Sequence, residues 1–180
     1  DGTDASTSFV DKSKYARTVT ANGNAQVDTA QSKFGGASLL CDGAGDYLEV
    51  TSAASLNVAA SDFTMEAFVR INTATTQKCI LGKWSDTGPE FIWEVNSATP
   101  RFWWAPNSVG AAWLTSSSTL STGTWYHLAV RRSGSSFNMY IDGSSVASGT
   151  NSGNAGSGTN PLRVGIWGRS GYGPYWPMDG

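Results

Sequence analysis

The chain is poor in charge, and that excludes several classes of function at once. Charged residues make up 14% of the 180 residues, against about a quarter in an ordinary soluble protein. The formal net charge is −2, so there is no cationic footprint for nucleic acid or anionic lipid. No apolar run approaches the ~20 residues that span a bilayer as a helix, and no signal peptide is visible. There is one histidine, His127, and there are two cysteines, Cys41 and Cys79. That inventory gives no zinc-ligand spacing. It also gives no disulfide framework: the two cysteines are either small buried side chains or a single bridge closing a long loop. Helical periodicity is missing as well. No long stretch repeats apolar residues at i, i+3, i+4 and i+7 free of glycine, proline or β-branched clusters.

What is present is period two. In Trp125–Arg131, Tyr126, Leu128 and Val130 fall on one face, and His127, Ala129 and Arg131 on the other. After Ser133, Gly134 and Ser135 the alternation resumes, with Phe137, Met139 and Ile141 set against Asn138, Tyr140 and Asp142. Alternation on both sides of a Gly/Ser turn predicts an antiparallel hairpin with one buried face, which a second sheet must cover. Phe63–Val69 repeats the pattern, with Phe63, Met65, Ala67 and Val69 on one face and Phe68 on the other, and reads as a central strand. Strands are expected at Thr18–Ala21, Ser38–Asp42, Tyr47–Val50, Phe63–Ile71, Cys79–Lys83, Glu90–Val95, Arg101–Ala105, Ala112–Thr115, Trp125–Arg131, Phe137–Ile141, Ser145–Ala147 and Leu162–Ile166. Asp42-Gly43 and Asp142-Gly143 read as hairpin turns, because both dipeptides tolerate positive φ. Ser148–Pro161 reads as an exposed loop. The 21 glycines punctuate short strands, and the whole predicts a single all-β domain over residues 1–180, a two-sheet antiparallel β-sandwich.

Five segments then occur in order: KFGGASLLCDGAGDYLEV from Lys33, SDFTMEAFVRI from Ser61, ILGKW from Ile80, TWYHLAVRRSGSSFNMYIDGSSVASG from Thr124 and PLRVGIWG from Pro161. Together they resemble the laminin-G-like branch of the concanavalin A-like lectin/glucanase superfamily. The resemblance implies a jelly roll of two antiparallel sheets, one of them concave. The opening segment, Asp1 to Leu40, further resembles such domains in structural proteins of tailed phages. Relatives usually carry one short apolar strand before the position of Asp1 and another after a glycine like Gly180. The resemblance therefore implies that this chain is an excerpt of a longer one, lacking its first and last strands.

Glucanases of the superfamily use closely spaced carboxylates on one strand, and a general acid and a nucleophile must flank the bond about 5 Å apart. Glu90 and Glu94 share a strand face but lack the intervening acid, so no catalytic residue is assigned. A Ser/His/Asp site would need His127 with Asp142 or Asp86, and no nucleophile elbow accompanies them. Calcium takes carboxylate and carbonyl oxygens from loops. The candidate ligands are Asp42 and Asp46 of Asp42-Gly-Ala-Gly-Asp46, and Asp11, from a loop with Asp1 and Asp4, meeting Asp179. The expected cofactor is none, or one structural calcium ion of the kind that some relatives hold.

The eight tryptophans are the remaining signal. Trp93 and Trp125 read as core. Adjacent Trp103 and Trp104 must point to opposite faces of a strand. Trp84, Trp113, Trp167, Tyr172, Tyr175 and Trp176 read as partly exposed rings. Aromatic faces bind the C–H surfaces of sugars and anchor protein interfaces, so Trp103, Trp104, Trp113 and Trp167 are the candidate ligand-binding residues. The sequence thus predicts a non-catalytic binding module of a larger extracellular or virion-surface protein. Its expected partners are a glycan or cell-surface polymer and other domains of an assembly, not nucleic acid or membrane. The alternatives are a purely structural capsid or tail decoration domain and, behind it, a glucanase relative.

Overall fold

The structure, a computed structural model, describes residues 2–59, 61–84, 90–105, 112–154, 158–168, 174–175 and 177–180. The strands are β1 (Val19–Asn22), β2 (Gln26–Asp28), β3 (Ser38–Leu40), β4 (Tyr47–Val50), β5 (Phe63–Val69), β6 (Gln77–Lys83), β7 (Phe91–Asn96), β8 (Thr99–Trp104), β9 (Ala112–Thr115), β10 (Tyr126–Ser133), β11 (Ser136–Ile141), β12 (Ser144–Thr150), β13 (Leu162–Val164), β14 (Trp167–Gly168) and β15 (Pro174–Tyr175). One 3-10 turn, Ala54–Leu56, is the single helical element among the described residues. A seven-stranded sheet has the order β1-β4-β13-β6-β7-β8-β9, and a four-stranded sheet has the order β12-β11-β10-β5. Two small ribbons, β2-β3 and β14-β15, complete the set. Every pairing is antiparallel. This is the all-β sandwich that the alternation predicts.

The core lies between the two sheets. From the seven-stranded sheet come Ile80, Phe91, Trp93, Val95, Phe102, Trp104 and Leu114. From the four-stranded sheet come Val69, Leu128, Val130, Phe137, Met139 and Ile141. Phe102 stacks on Phe91 and on Trp104, with ring centroids 6.2 and 6.5 Å apart. Each such side chain taken out of water contributes roughly 1.5–3 kcal/mol. Trp104 Nε1 donates to Gly153 O at 3.1 Å, so its polar end is satisfied in the interior. The buried guanidinium of Arg132 stands 4.9 Å from the Trp104 ring centre. It donates to the carbonyls of Gly134, Ala59 and Gly153.

The hairpin at Asp142-Gly143 forms as expected. It is a two-residue turn with φ of 48° and 80°, the left-handed pair that matches the twist of the flanking strands. Four expectations are corrected. Asp42-Gly43 does not join a hairpin: β3 pairs with β2, while β4 pairs with β1 and β13. The carboxylate of Asp46 turns the chain there instead, by accepting the N–H of Asp42 at 2.9 Å. β5 is an edge strand and not a central one, bonded only to β10 among the described strands. Trp125 is half-buried and lines a cleft beside β5, whereas Trp93 is core as expected. The loop expected from Ser148 begins only after β12 ends at Thr150, because β12 continues pairing with β11 through Ser136.

The cysteines are free and buried. Cys41 belongs to the inter-sheet core, while Cys79 is the cross-strand neighbour of Glu94. Burial pushes the Cys41 thiol up to about 12 and raises that of Cys79 as well. Both are inert packing groups in this state.

Candidate ligand-binding face

The outward face of the seven-stranded sheet is organised by register. One cross-strand row runs through Thr20, Glu49, Arg163, Gly82, Ile92, Trp103 and Trp113, taking one residue from each strand. The next row sets Cys79, Glu94, Arg101 and Thr115 side by side. Directly opposed residues on neighbouring strands share a face. Phe102 and Trp104 point into the core, so Arg101 and Trp103 must face out.

Over this face the indoles meet. Trp84 stands edge-to-face with Trp103, with ring centres 6.5 Å apart at 68°, and with Trp167, 6.4 Å apart at 73°. Beneath them is Gly82. A Cβ there would stand 3.9 Å from Trp167 Cδ1 and 3.4 Å from Cys79 Sγ, so the missing side chain keeps the floor under the rings low. All three rings are half-buried. Beside them, Gln77 Nε2 donates to Glu94 Oε2 at 2.8 Å, and Arg101 stands 3.7 Å from Glu94 Oε1 and 5.9 Å from the Trp103 ring centre. Arg163 and Glu49 form an ion pair further along, at 2.9 Å. Burial raises the Glu94 carboxyl above its usual range, with Gln77, the Trp103 indole and Arg101 opposing that shift.

Of the four candidate aromatic residues, Trp103 has an outward place in the register of the seven-stranded sheet, and Trp167 lies in the β14-β15 ribbon. Trp103 and Trp167 join Trp84 in the cluster. Trp113 is the register partner of Trp103, and its side chain lies outside the description. Trp104 is corrected: it is 1% exposed and packed in the core, since its neighbour holds the outward position. Tyr172 and Trp176 lie outside the described residues, and Tyr175 is described only as the backbone partner of Trp167. Sequence reading missed Gln77 and Arg101 as neighbours of Glu94. The signal for Arg101 was its parity with Trp103, but the register depends on a turn at Ser97 and Ala98 with φ of 47° and 66°. No glycine or asparagine there advertises a left-handed turn.

The carboxylates do not form an open acid–nucleophile pair. Glu90 and Glu94 are both fully buried, Glu90 against Lys83 Nζ and Glu94 as above. His127 Nε2 faces Glu66 at 3.3 Å, while Asp142 accepts the backbone N–H of His127 and not its ring. Asp86 lies outside the described residues.

The candidate calcium ligands do not assemble as expected. Asp42 and Asp179 are bridged through their backbones, and Asp46 lies beside Asp42. Most of their oxygens are already engaged. Asp42 accepts from the Asn24 amide and the Ala44 N–H, Asp46 from the N–H groups of Asn24 and Asp42, and Asp179 from Thr73. The Asn24 amide, followed by the Ala44 N–H, holds the Asp42 carboxyl below its usual range. Asp11 is elsewhere: the N–H of Arg17 and the Ser13 groups hold its carboxyl well below the usual range. Asp4 accepts from Thr29, and Asp1 lies outside the described residues. No group of three His, Cys, Asp or Glu side chains stands at metal-binding distance among the described residues. Most of these oxygens serve N–H and O–H donors, and Asp179 Oδ1 faces the Lys78 ammonium at 3.4 Å.

A second concavity, of about 340 Å³, runs along β5. Leu39, Ala67, Phe68, Val69, Trp125 and Met178 contribute to its lining, with Lys33 and Arg70 as its charged residues.

The sheets define a two-sheet antiparallel jelly-roll β-sandwich. Residues 42–177 match the Laminin_G_3 family, described as the concanavalin A-like lectin/glucanases superfamily, and the chain belongs to that family. No curated protein matches the chain's sequence. Among solved structures, the binding domain of Paraclostridial Mosquitocidal Protein 1 aligns with a TM-score of 0.75 at 12% identity, covering 97% of this chain and 42% of that one. The receptor binding domain of botulinum neurotoxin D aligns at 0.71 and 15% identity, covering 91% and 43%. The binding domain of botulinum neurotoxin DC, solved in complex with SialylT, aligns at 0.67 and 13% identity, covering 86% and 40%. The chain thus spans about two-fifths of these structures, and at such identities the likeness is one of fold.

Proposed function

We propose that this domain is a non-catalytic recognition module for a glycan or host-surface polymer, carried in a larger extracellular or virion-surface protein. The observation that carries it is the group of three half-exposed indoles, Trp84, Trp103 and Trp167, assembled over Gly82 beside Glu94, Gln77 and Arg101. Indole faces take the C–H surface of a sugar ring, and the partly exposed Gln77 amide and Arg101 guanidinium, held by the buried Glu94, offer polar groups to its hydroxyls. The neighbouring toxin domains, named for binding and in one case solved with SialylT, support the reading. The burial of Glu90 and Glu94 supports a site without hydrolysis. No helix among the described residues is long and apolar enough to cross a membrane, and in this reading the module acts outside the cell.

The test is a glycan array with wild type and with Trp103→Ala. Sugar binding that Trp103→Ala abolishes, with the fold intact, supports the proposal. Binding unchanged by Trp103→Ala refutes this face. Turnover of laminarin, agarose or mixed-linkage glucan that Glu94→Gln removes refutes the non-catalytic assignment. A structural role in an assembly is the second reading. Its supporting observation is the exposed edge-to-face pair of Phe34 and Phe68, 4.9 Å apart, beside the β5 cleft. Silence on the array with stable assembly into a larger particle favours it.

A further inference from the structure

Lys83 is fully buried, and its Nζ stands within hydrogen-bond reach of three acceptors. These are Glu90 Oε1, Asn57 Oδ1 at 2.8 Å and Gly158 O at 2.9 Å. Glu90 is equally buried, and Phe91 beside it is 1% exposed. Asn57 follows the 3-10 turn Ala54–Leu56 and is half-buried. A lysine amine, a side-chain amide and a carboxyl group are thus held together at one corner of the sandwich, the amine and carboxyl fully buried and the amide half-buried. None of the three takes part in the aromatic face.

We propose that Lys83 and Asn57 become joined by an intramolecular isopeptide bond, with Glu90 as the catalytic acid–base. Burial of an ion pair is costly, and moving one proton from the ammonium to the carboxylate removes both charges. Burial raises the Glu90 carboxyl above its ordinary range, against the opposing pull of Lys83, which favours that transfer. The neutral amine then holds a lone pair beside the Asn57 amide, in the fixed geometry that makes an intramolecular attack fast. Nζ adds to Cγ, and the Nζ–Cγ bond forms. Glu90, now a neutral acid, gives its proton to Nδ2 and then takes one of the two protons on Nζ; the other stays as the N–H of the new amide, and the proton on Glu90 passes to the departing ammonia. The Cγ–Nδ2 bond breaks and ammonia leaves through the exposed side of Asn57. Overall, a protonated lysine and a primary amide become a secondary amide and an ammonium ion, with no oxidant or other co-reactant. The product ties β6 to the segment before β5 and closes the loop between residues 57 and 83.

The test is the intact mass of the folded chain, measured after denaturation, with peptide mapping. The expected mass is lower than that of the sequence by one ammonia, about 17 Da, and a protease digest yields a branched peptide joining Asn57 to Lys83. Lys83→Arg and Glu90→Gln should each restore the full mass. The full, unmodified mass in natively folded wild type overturns the proposal, whatever the variants do. So does an ammonia loss that maps elsewhere, such as a succinimide at Asn22-Gly23.

Discussion

The two sheets present outer faces of opposite character. On the four-stranded sheet the outward rows are Phe68 with His127, Glu66 with Ala129 and Tyr140, and Thr64 with Arg131 and Asn138. Apart from Phe68 and Ala129 these are polar or charged, and the Glu66 side chain is 66% exposed. On the seven-stranded sheet the outward rows hold Ile92, Glu94 and Cys79, each nearly or fully buried, under three indoles. An antiparallel sheet with one solvated face shows the first pattern. The second pattern, with aromatic rings over an enclosed polar group, is the face to which the proposed function assigns ligand contact. Both faces alternate with period two, so alternation finds the strands and leaves the use of the outer face undecided.

Substitutions on either side of β8 give the largest expected contrast. Trp104→Ala removes a core indole that bonds Gly153 and stacks under Arg132, and should cost about 3–5 kcal/mol in denaturant unfolding. Trp103→Ala, one residue away, should leave the fold cooperative and weaken ligand binding at least roughly tenfold, with Trp167→Ala acting in the same direction. Equal losses of stability at the two positions would erase the distinction between the faces.

Glu94 sharpens the comparison through pH. Its folded pKa is raised above the ordinary value of 4.5, so the folded state holds the proton more tightly than the unfolded one. The stability this contributes is complete below the ordinary glutamate range and is lost as pH rises through the raised folded value. Glu94→Gln cannot ionise, and its stability relative to wild type should therefore increase from acid to neutral pH. Urea unfolding across that range measures the difference, and a constant difference would break the argument.

Smaller effects are expected on the polar face and at the acidic corner. Phe68→Ser should change stability by no more than about 0.5 kcal/mol and leave glycan binding untouched. The carboxylates of Asp42, Asp46 and Asp179 already serve protein donors, so millimolar calcium and chelator should give the same melting midpoint. A rise with calcium would show a site that these contacts do not describe, because a ligand bound only to the folded state stabilises by mass action.

All the strands expected from sequence are found, with shifts of a few residues at their ends. The additions, β2, β14 and β15, are two- or three-residue pairings too short to carry a pattern. Alternation makes strands readable because each side chain reports its own face. Pairing partners are less readable. Asp42-Gly43 has the composition of a hairpin turn, yet it separates two strands that belong to different sheets. The aromatic face was half readable: the adjacency of Trp103 and Trp104 requires one to face outward, but not which.

The sequence by itself determined an all-β sandwich, its hairpin at Asp142-Gly143 and the inward-facing sides of β5, β10 and β11. Those follow from local alternation and from turn residues that tolerate positive φ. Only the tertiary structure decided that β5 lies at an edge, that Trp103 and Trp167 both meet Trp84, and that Asn57, Lys83 and Glu90 meet at one corner. Each of these depends on register and on contacts between distant segments. A period of two repeats identically for every register shifted by two residues, so the pattern of side chains cannot by itself choose among them.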